Sequence, residues 1–294
     1  MRAKPGKYGI KVWCCSCVDC TYICNLQVYC GKTEGKVEKG QGKRVVGDLI
    51  KPFTMAWREL TVDNFFTSVE LCEELWEKKT ILTGTVRHNK TNVPPEFKNS
   101  KGRKQNTTLV GHAGVKTLTS FINGKKKKPV ILLSSATPEC DEPGKKPAIV
   151  QHYNNTKGAV DAGDFITRKT NCVRKTRVWT KKLIMELISV ACLNASCLFK
   201  KKYPLVAKGN HRWRSDFLKE LCNELILENV KAREKSTKIR QKLKLQMQNF
   251  TSQTFESYTK TLNYATAASM CLKQLRHVLL VYQVFVCNIF AKEA

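Results

Sequence analysis

The sequence predicts an α/β protein, and three observations carry the prediction. Between residues 8 and 86, short apolar runs of strand length alternate with segments whose apolar residues recur at helical spacing, in the order β-β-α-β-α-β. Residues 180–200 then place Leu183, Ile184, Leu187, Ile188, Ala191, Ala195, Leu198 and Phe199 on one wide stripe, the mark of an amphipathic helix. With 294 residues, 42% of them apolar, the chain can bury a sizeable core in one large or two modest domains.

Taken in order, residues 8–18 and 22–30 are apolar, aromatic or small and are punctuated by Asp19 and Gly31, which predicts two adjacent strands in a hairpin. Val45, Val46, Leu49 and Ile50 predict a helix over 43–53, and residues 59–65 an extended segment ending in Asp63-Asn64. Val69, Leu71, Cys72, Leu75 and Trp76 suit one face of a short helix, and 81–86 a buried strand. Residues 87–114 are polar and rich in Gly and Lys. Short strands are expected at 115–122, 129–134 and 148–153, with turns at Asn123-Gly124 and 138–147. Helical spacing returns at 157–168, at 180–200 and around Phe217, Leu218, Leu221, Cys222, Leu225 and Ile226. Beyond Lys235 the chain turns basic, then Gln/Thr/Ser-rich, then apolar. The expected organisation is 1–86 and 148–232 as the two parts of one α/β domain, 87–147 as a β-rich insertion and 233–294 as a divergent tail.

Lys and Arg number 52 against 24 Asp and Glu, a net charge of +28. That self-repelling excess is best tolerated when a polyanion neutralises it, so nucleic acid is the first partner to expect. The start of the chain, MRAKPGKYGI, lacks the apolar core of a signal peptide, so the 14 cysteines are expected as thiols in a reducing compartment. Cys17 and Cys20 have CxxC spacing, but Cys14 to Cys17 lie in an apolar strand pattern with no second pair on tight turns, so no zinc site is expected there. The apolar run 278–290 is shorter than the roughly 20 residues of a membrane span, and no membrane partner is expected.

Two acidic segments stand out in a chain poor in carboxylates. LTVDNFF places Asp63 at the carboxyl end of a strand, where open α/β sheets position ligands. TKGAVDAGD places Asp161 and Asp164 at i and i+3 on one helical face. Singly, these also read as a turn or capping aspartate and an exposed polar face. Lys157, Arg168 and Lys169 flank the second segment, and phosphodiester chemistry needs hard oxygen ligands for a divalent cation beside a cationic surface. Arg174, Lys175 and Arg177 follow directly and are candidates for the DNA backbone, with Trp179 expected as a core anchor. Further basic runs are 125–128, which also suits a nuclear import signal, 200–202 and Arg212-Trp213-Arg214.

At these segments the sequence resembles the piggyBac family of cut-and-paste DNA transposases, with their IS4-like domain. The matching stretches are KPGKYGIKVW, ELTVDNFFTSVELCEEL, GTVRHNKTNVPPEFKN, PVILLSSATP, HYNNTKGAVDAGDF and RKTRVWTKKLIMELISVACLNA, in order over residues 1 to 230. The resemblance implies an RNase H-like catalytic fold with a β-rich insertion followed by C-terminal helices. It also implies a metal site of three aspartates for Mg²⁺ or Mn²⁺, DNA as substrate, a homodimer and a nuclear location.

Residue by residue, the family's second catalytic aspartate corresponds to Asp63, the third to Asp161 and a supporting aspartate to Asp164. The first lies upstream of the family's KPxKYGIK motif and has no match in this sequence. The Cys/His-rich zinc module that ends many members is not matched by Cys271, His277 and Cys287. The expectation is therefore a transposase-derived protein whose metal-dependent strand cleavage is impaired. The alternative is a domesticated, non-catalytic DNA- or chromatin-binding protein.

Overall fold

Short apolar runs become strands here by pairing edge to edge, and the helices cover them wherever their apolar stripes allow. The computed structural model describes residues 9–31, 38–124, 128–136, 145–236 and 239–260, with side chains as far as 252. The lysine run's Lys125 to Lys127, the turn residues 137–144 and the tail cysteines and histidine lie outside the described residues. Two compact units divide the chain. One is Met1–Asp19 with Ile23–Ala162, the other Cys20–Tyr22 with Gly163–Ala294.

In the first unit, β1 (Val12–Ser16) and β2 (Ile23–Val28) form the expected antiparallel hairpin, with Val12 opposite Val28. The register shifts at Cys15/Ser16 and leaves Cys24 as the extra residue on β2. Helix α1 (Gln41–Ile50) buries Val45, Val46, Leu49 and Ile50, the residues its spacing selects. A second sheet runs in the order β3 (Arg58–Val62), β4 (Thr80–Thr85), β7 (Val130–Ser134), β6 (Lys116–Phe121), β5 (Thr108–Ala113). β3 and β4 are parallel because helix α2 (Val69–Glu77) returns the chain between them, and the remaining pairs are antiparallel. α2 starts where Ser68 Oγ accepts from the Leu71 amide at 3.1 Å. Its Leu71, Cys72 and Leu75 join Val46, Ile50, Val62, Leu82 and Leu133 in the central core.

Two expectations fail in this unit. Residues 108–113, read as part of a polar stretch, are strand β5. The strand lies at the sheet edge with most of its side chains in solvent, so no apolar run marks it. Residues 148–153, expected as a strand, begin helix α4 (Ala148–Thr156). The β-branched pair Ile149-Val150 suggests a strand, yet Ile149, Val150 and Tyr153 are also helically spaced, and together they pack against Phe121 and Leu132. The short helix α3 (Pro95–Lys98) and strands β5 to β7 account for the stretch expected as an insertion, and β7 joins it to β4 in one sheet.

Helix α5 (Ala159–Lys169) follows α4 after a two-residue turn and crosses the division between the units at Ala162/Gly163. In the second unit, the long apolar stripe forms α6 (Trp179–Lys202), and α7 (Trp213–Glu234) and α8 (Gln241–Lys260) follow. Ala195 and Phe199 of α6 pack on Trp213, Phe217 and Leu221 of α7, with the Phe199 and Phe217 rings stacked at 4.8 Å. By length and composition α6 is apolar enough to cross a membrane, but it buries Ser189, Asn194 and Ser196 as well as its stripe, as a core helix of a folded unit does.

Candidate functional site

Asp63 sits one residue beyond β3, at the carboxyl end of a strand in a partly parallel sheet. Its Oδ1 accepts from the Phe65 amide at 2.8 Å, and its carbonyl accepts from the amides of Phe66 and Thr67 and from Thr67 Oγ1. The turn reading of this aspartate and the strand-end reading therefore hold together. The carboxylate is exposed, with one oxygen committed to the turn. Buried Thr67 and the chain behind it hold the turn in place, and Gly84 of β4 lies against both Val62 and Thr67.

The end of α4 is tied to this region of the sheet. Thr61 Oγ1 and Thr156 Oγ1 are 2.7 Å apart, His152 Nε2 is 3.3 Å from Glu59 Oε2, and Tyr153 Oη is 3.3 Å from Thr85 Oγ1. Asp161 follows in the first turn of α5, exposed, where the unsatisfied amides of a helix start favour a carboxylate. Asp164 is one turn further along and 3.7 Å from Arg168. Asp63 and Asp161 thus belong to the first unit and Asp164 to the second.

Carboxylate oxygens are the right donors for Mg²⁺ or Mn²⁺. Among the described residues, however, no group of three or more His, Cys, Asp or Glu side chains is placed to hold a metal ion. The donors fit in kind and fall short in number.

Two cations missed in the sequence lie beside Asp63. Partial burial lowers the Lys11 pKa, and the Asp63 charge only partly offsets it. Its ammonium is 3.6 Å from the Trp13 ring centroid. Arg87, on the chain leaving β4, donates from Nε to Asn64 Oδ1 at 2.9 Å. Both lie inside stretches that match the family, Lys11 in KPGKYGIKVW and Arg87 in GTVRHNKTNVPPEFKN, but only folding brings them to the Asp63 turn.

The candidate DNA contacts separate into two sets. Lys157 is exposed in the turn before α5, with its ammonium on Asn154 Oδ1 at 2.7 Å and near the Tyr153 ring. In the second unit, Arg168 and Lys169 end α5, and Lys169 lies 4.4 Å from the centroid of exposed Phe165. Arg174, Lys175 and Arg177 are all exposed on the segment before α6. Trp179, expected as a core anchor, is instead 55% exposed as the first residue of α6, because the apolar stripe begins at Leu183 and Trp179 lies beyond the buried surface. In the run at 212–214, Trp213 is buried and Arg214 donates to Ser196 Oγ with burial holding its pKa down, while Arg212 is exposed.

The family model described as Transposase IS4 matches residues 1–196. Human piggyBac transposable element-derived protein 3 is 26% identical over 222 residues, covering 68% of this chain and 37% of that protein. The human chimeric ERCC6-PGBD3 protein matches with 26% identity over 222 residues and 20% of its own length. The match therefore spans little more than a third of the first of these relatives and a fifth of the second. Among solved structures, a piggyBac transposase synaptic complex with hairpin DNA, determined by cryo-electron microscopy, is similar at a TM-score of 0.76 and 30% identity. The similarity covers 85% of this chain and 53% of that one. With the family match spanning two thirds of the sequence and the fold shared with a piggyBac transposase, the chain belongs to the piggyBac-like transposases of the IS4 family.

Proposed function

We propose that this protein is a transposase-derived DNA-binding protein that keeps the scaffold of a strand-cleavage centre, with no complete metal-binding group among its described residues. The observation that carries the reading is Asp63 at the carboxyl end of β3, with α4 tied to that strand by Thr61–Thr156 and leading directly to Asp161. The parallel β3–β4 pair and the antiparallel β1–β2 hairpin support an RNase H-like reading of the first unit. DNA is the proposed partner, on the strength of the +28 charge and of the exposed cations Lys157, Arg168, Lys169, Arg174, Lys175 and Arg177. The synaptic complex of the similar transposase supports the same partner. A divalent cation bound at this centre would supply charge to activate an attacking oxygen and to stabilise a leaving one. Asp63 and Asp161 are the residues proposed to face it, with Asp164 in support.

A nuclear location and a homodimer belong to this proposal. The alternative of a domesticated DNA- or chromatin-binding protein is favoured by the absence of a three-ligand metal group among the described residues.

The test is a titration of the full chain with terminal-repeat duplex DNA, with and without Mg²⁺ or Mn²⁺. Binding at low salt that weakens as salt rises is expected, with no divalent-dependent nicking and no change in binding on Asp63→Asn. Nicking that Asp63→Asn abolishes would overturn the incomplete-site reading, and absence of binding at low salt would overturn the DNA reading.

A further inference from the structure

The turn that holds Asp63 also displays an aromatic ring in an unusual setting. Phe65 stacks on Trp13, their centroids 5.4 Å apart and planes 15° from parallel, and Phe66 meets both rings edge-on. Tyr29 meets Trp13 edge-on, their centroids 6.4 Å apart. A cluster of four aromatic rings would ordinarily be a core. This one leaves Phe65 38% exposed, and its position is fixed at both ends: the Phe65 amide is bonded to Asp63 Oδ1, and the stacked Trp13 is held in β1. The tight approach of α1 adds to this, since a Cβ on Gly42 would lie 2.9 Å from the Phe65 carbonyl oxygen.

Two cations flank the ring. Lys11 Nζ is 5.5 Å and Arg87 Cζ 5.9 Å from the Phe65 centroid. Among the described residues, neither makes an ion pair at hydrogen-bond distance. Lys11 rests on Trp13, and Arg87 is anchored through Nε to the neutral amide of Asn64, which leaves the rest of its exposed guanidinium facing solvent. A preordered, partly exposed ring with cations on its flanks matches one ligand chemistry well, a base with its adjoining phosphates. The ring offers a stacking face to any base and the cations take the backbone. Away from a duplex end, a base can reach such a face only when it is out of the stack, since an interior paired base already has both faces covered.

We infer that Phe65, supported by Trp13 and flanked by Lys11 and Arg87, is a stacking platform for an unpaired nucleotide of a DNA strand beside Asp63. The inference rests on the DNA-binding reading and adds a preference for unpaired over paired DNA. The platform would hold the strand by its base next to the carboxylate turn, leaving the duplex to the distributed cations.

The experiment compares binding of the full chain to a blunt duplex and to the same duplex carrying a short single-stranded tail with 2-aminopurine in it, read by anisotropy and by 2-aminopurine fluorescence. Base–aromatic stacking energies imply that the tailed DNA binds about tenfold tighter, with its fluorescence quenched. Phe65→Leu should remove the preference and the quenching while binding blunt duplex as before. Phe65→Trp should keep both, and Arg87→Gln should weaken tailed DNA several-fold more than blunt. Blunt binding with no preference for the tail overturns the platform and leaves the DNA reading intact. A tail preference that Phe65→Leu leaves unchanged also overturns it. If neither DNA binds, the DNA reading fails and the platform with it.

Discussion

At Asp63 one side chain serves the backbone and the surface together. One oxygen closes the turn through the Phe65 amide, and the exposed carboxylate faces the region of Lys11. The type and position of Asp63, Asp161 and Asp164 are legible in the sequence because carboxylates are scarce there. Lys11 and Arg87 fall inside the family-matching stretches KPGKYGIKVW and GTVRHNKTNVPPEFKN, yet their place at the Asp63 turn is not legible, since they are two among 52 basic residues and only the fold brings them there. The cysteines of the hairpin are another case. Cys24, the extra residue at the β-bulge, shares a hydrogen bond with Cys15 that pulls its pKa down to about 7 against partial burial, helped by the Cys17 backbone and by Arg58. The same bond pushes the Cys15 thiol up. Because the thiolate is the nucleophile, iodoacetamide should label Cys24 at a rate that rises through pH about 7, ahead of Cys30, whose pKa partial burial raises. Cys15→Ser should move the Cys24 profile to higher pH. Peptide mass spectrometry across a pH series reads this directly, and equal labelling of Cys24 and Cys30 at neutral pH would refute it.

Among the elements, the junction of β3 and β4 shows how tightly the carboxylate turn is built. Val62 and Gly84 are partners across the parallel pair, and a Cβ on Gly84 would press on Thr67 Oγ1 and come within 2.8 Å of Val62 Cγ2. Thr67 Oγ1 is the group that donates to the Asp63 carbonyl, so the missing methyl is what lets the turn pack on the sheet. Gly84→Ala is expected to cost about 1–3 kcal/mol, as overpacking of a filled core does, and to lower the urea midpoint. A midpoint equal to that of the parent would show that Thr67 moves aside freely. The elements legible in the sequence are those whose apolar residues form a run or a regularly spaced stripe: β1 to β4, β6, β7, α1, α2, α5, α6 and α7. β5 was hidden by its exposure at the sheet edge. The start of α4 was misread because Ile149 and Val150 fit a strand or a helix equally until their packing on Phe121 and Leu132 decides.

For the molecule as a whole, the charge acts collectively, and exposed cations bind phosphate by releasing counterions. Replacing Arg174, Lys175 and Arg177 together by Gln should reduce the slope of log K against log salt by up to about 3 for a duplex, since each phosphate contact contributes about 0.9. An unchanged slope would move the duplex interface away from the segment before α6. Composition and motif order alone determined that this chain is basic, α/β and piggyBac-like, because net charge is a sum over residues and a family motif is a string of them. Tertiary structure alone decided which cations stand beside Asp63, that Trp179 is exposed and Trp213 buried, and that Phe65 presents a ring to solvent. Those outcomes depend on which surfaces are left after the core closes, a contest among residues distant in the chain that no local pattern records.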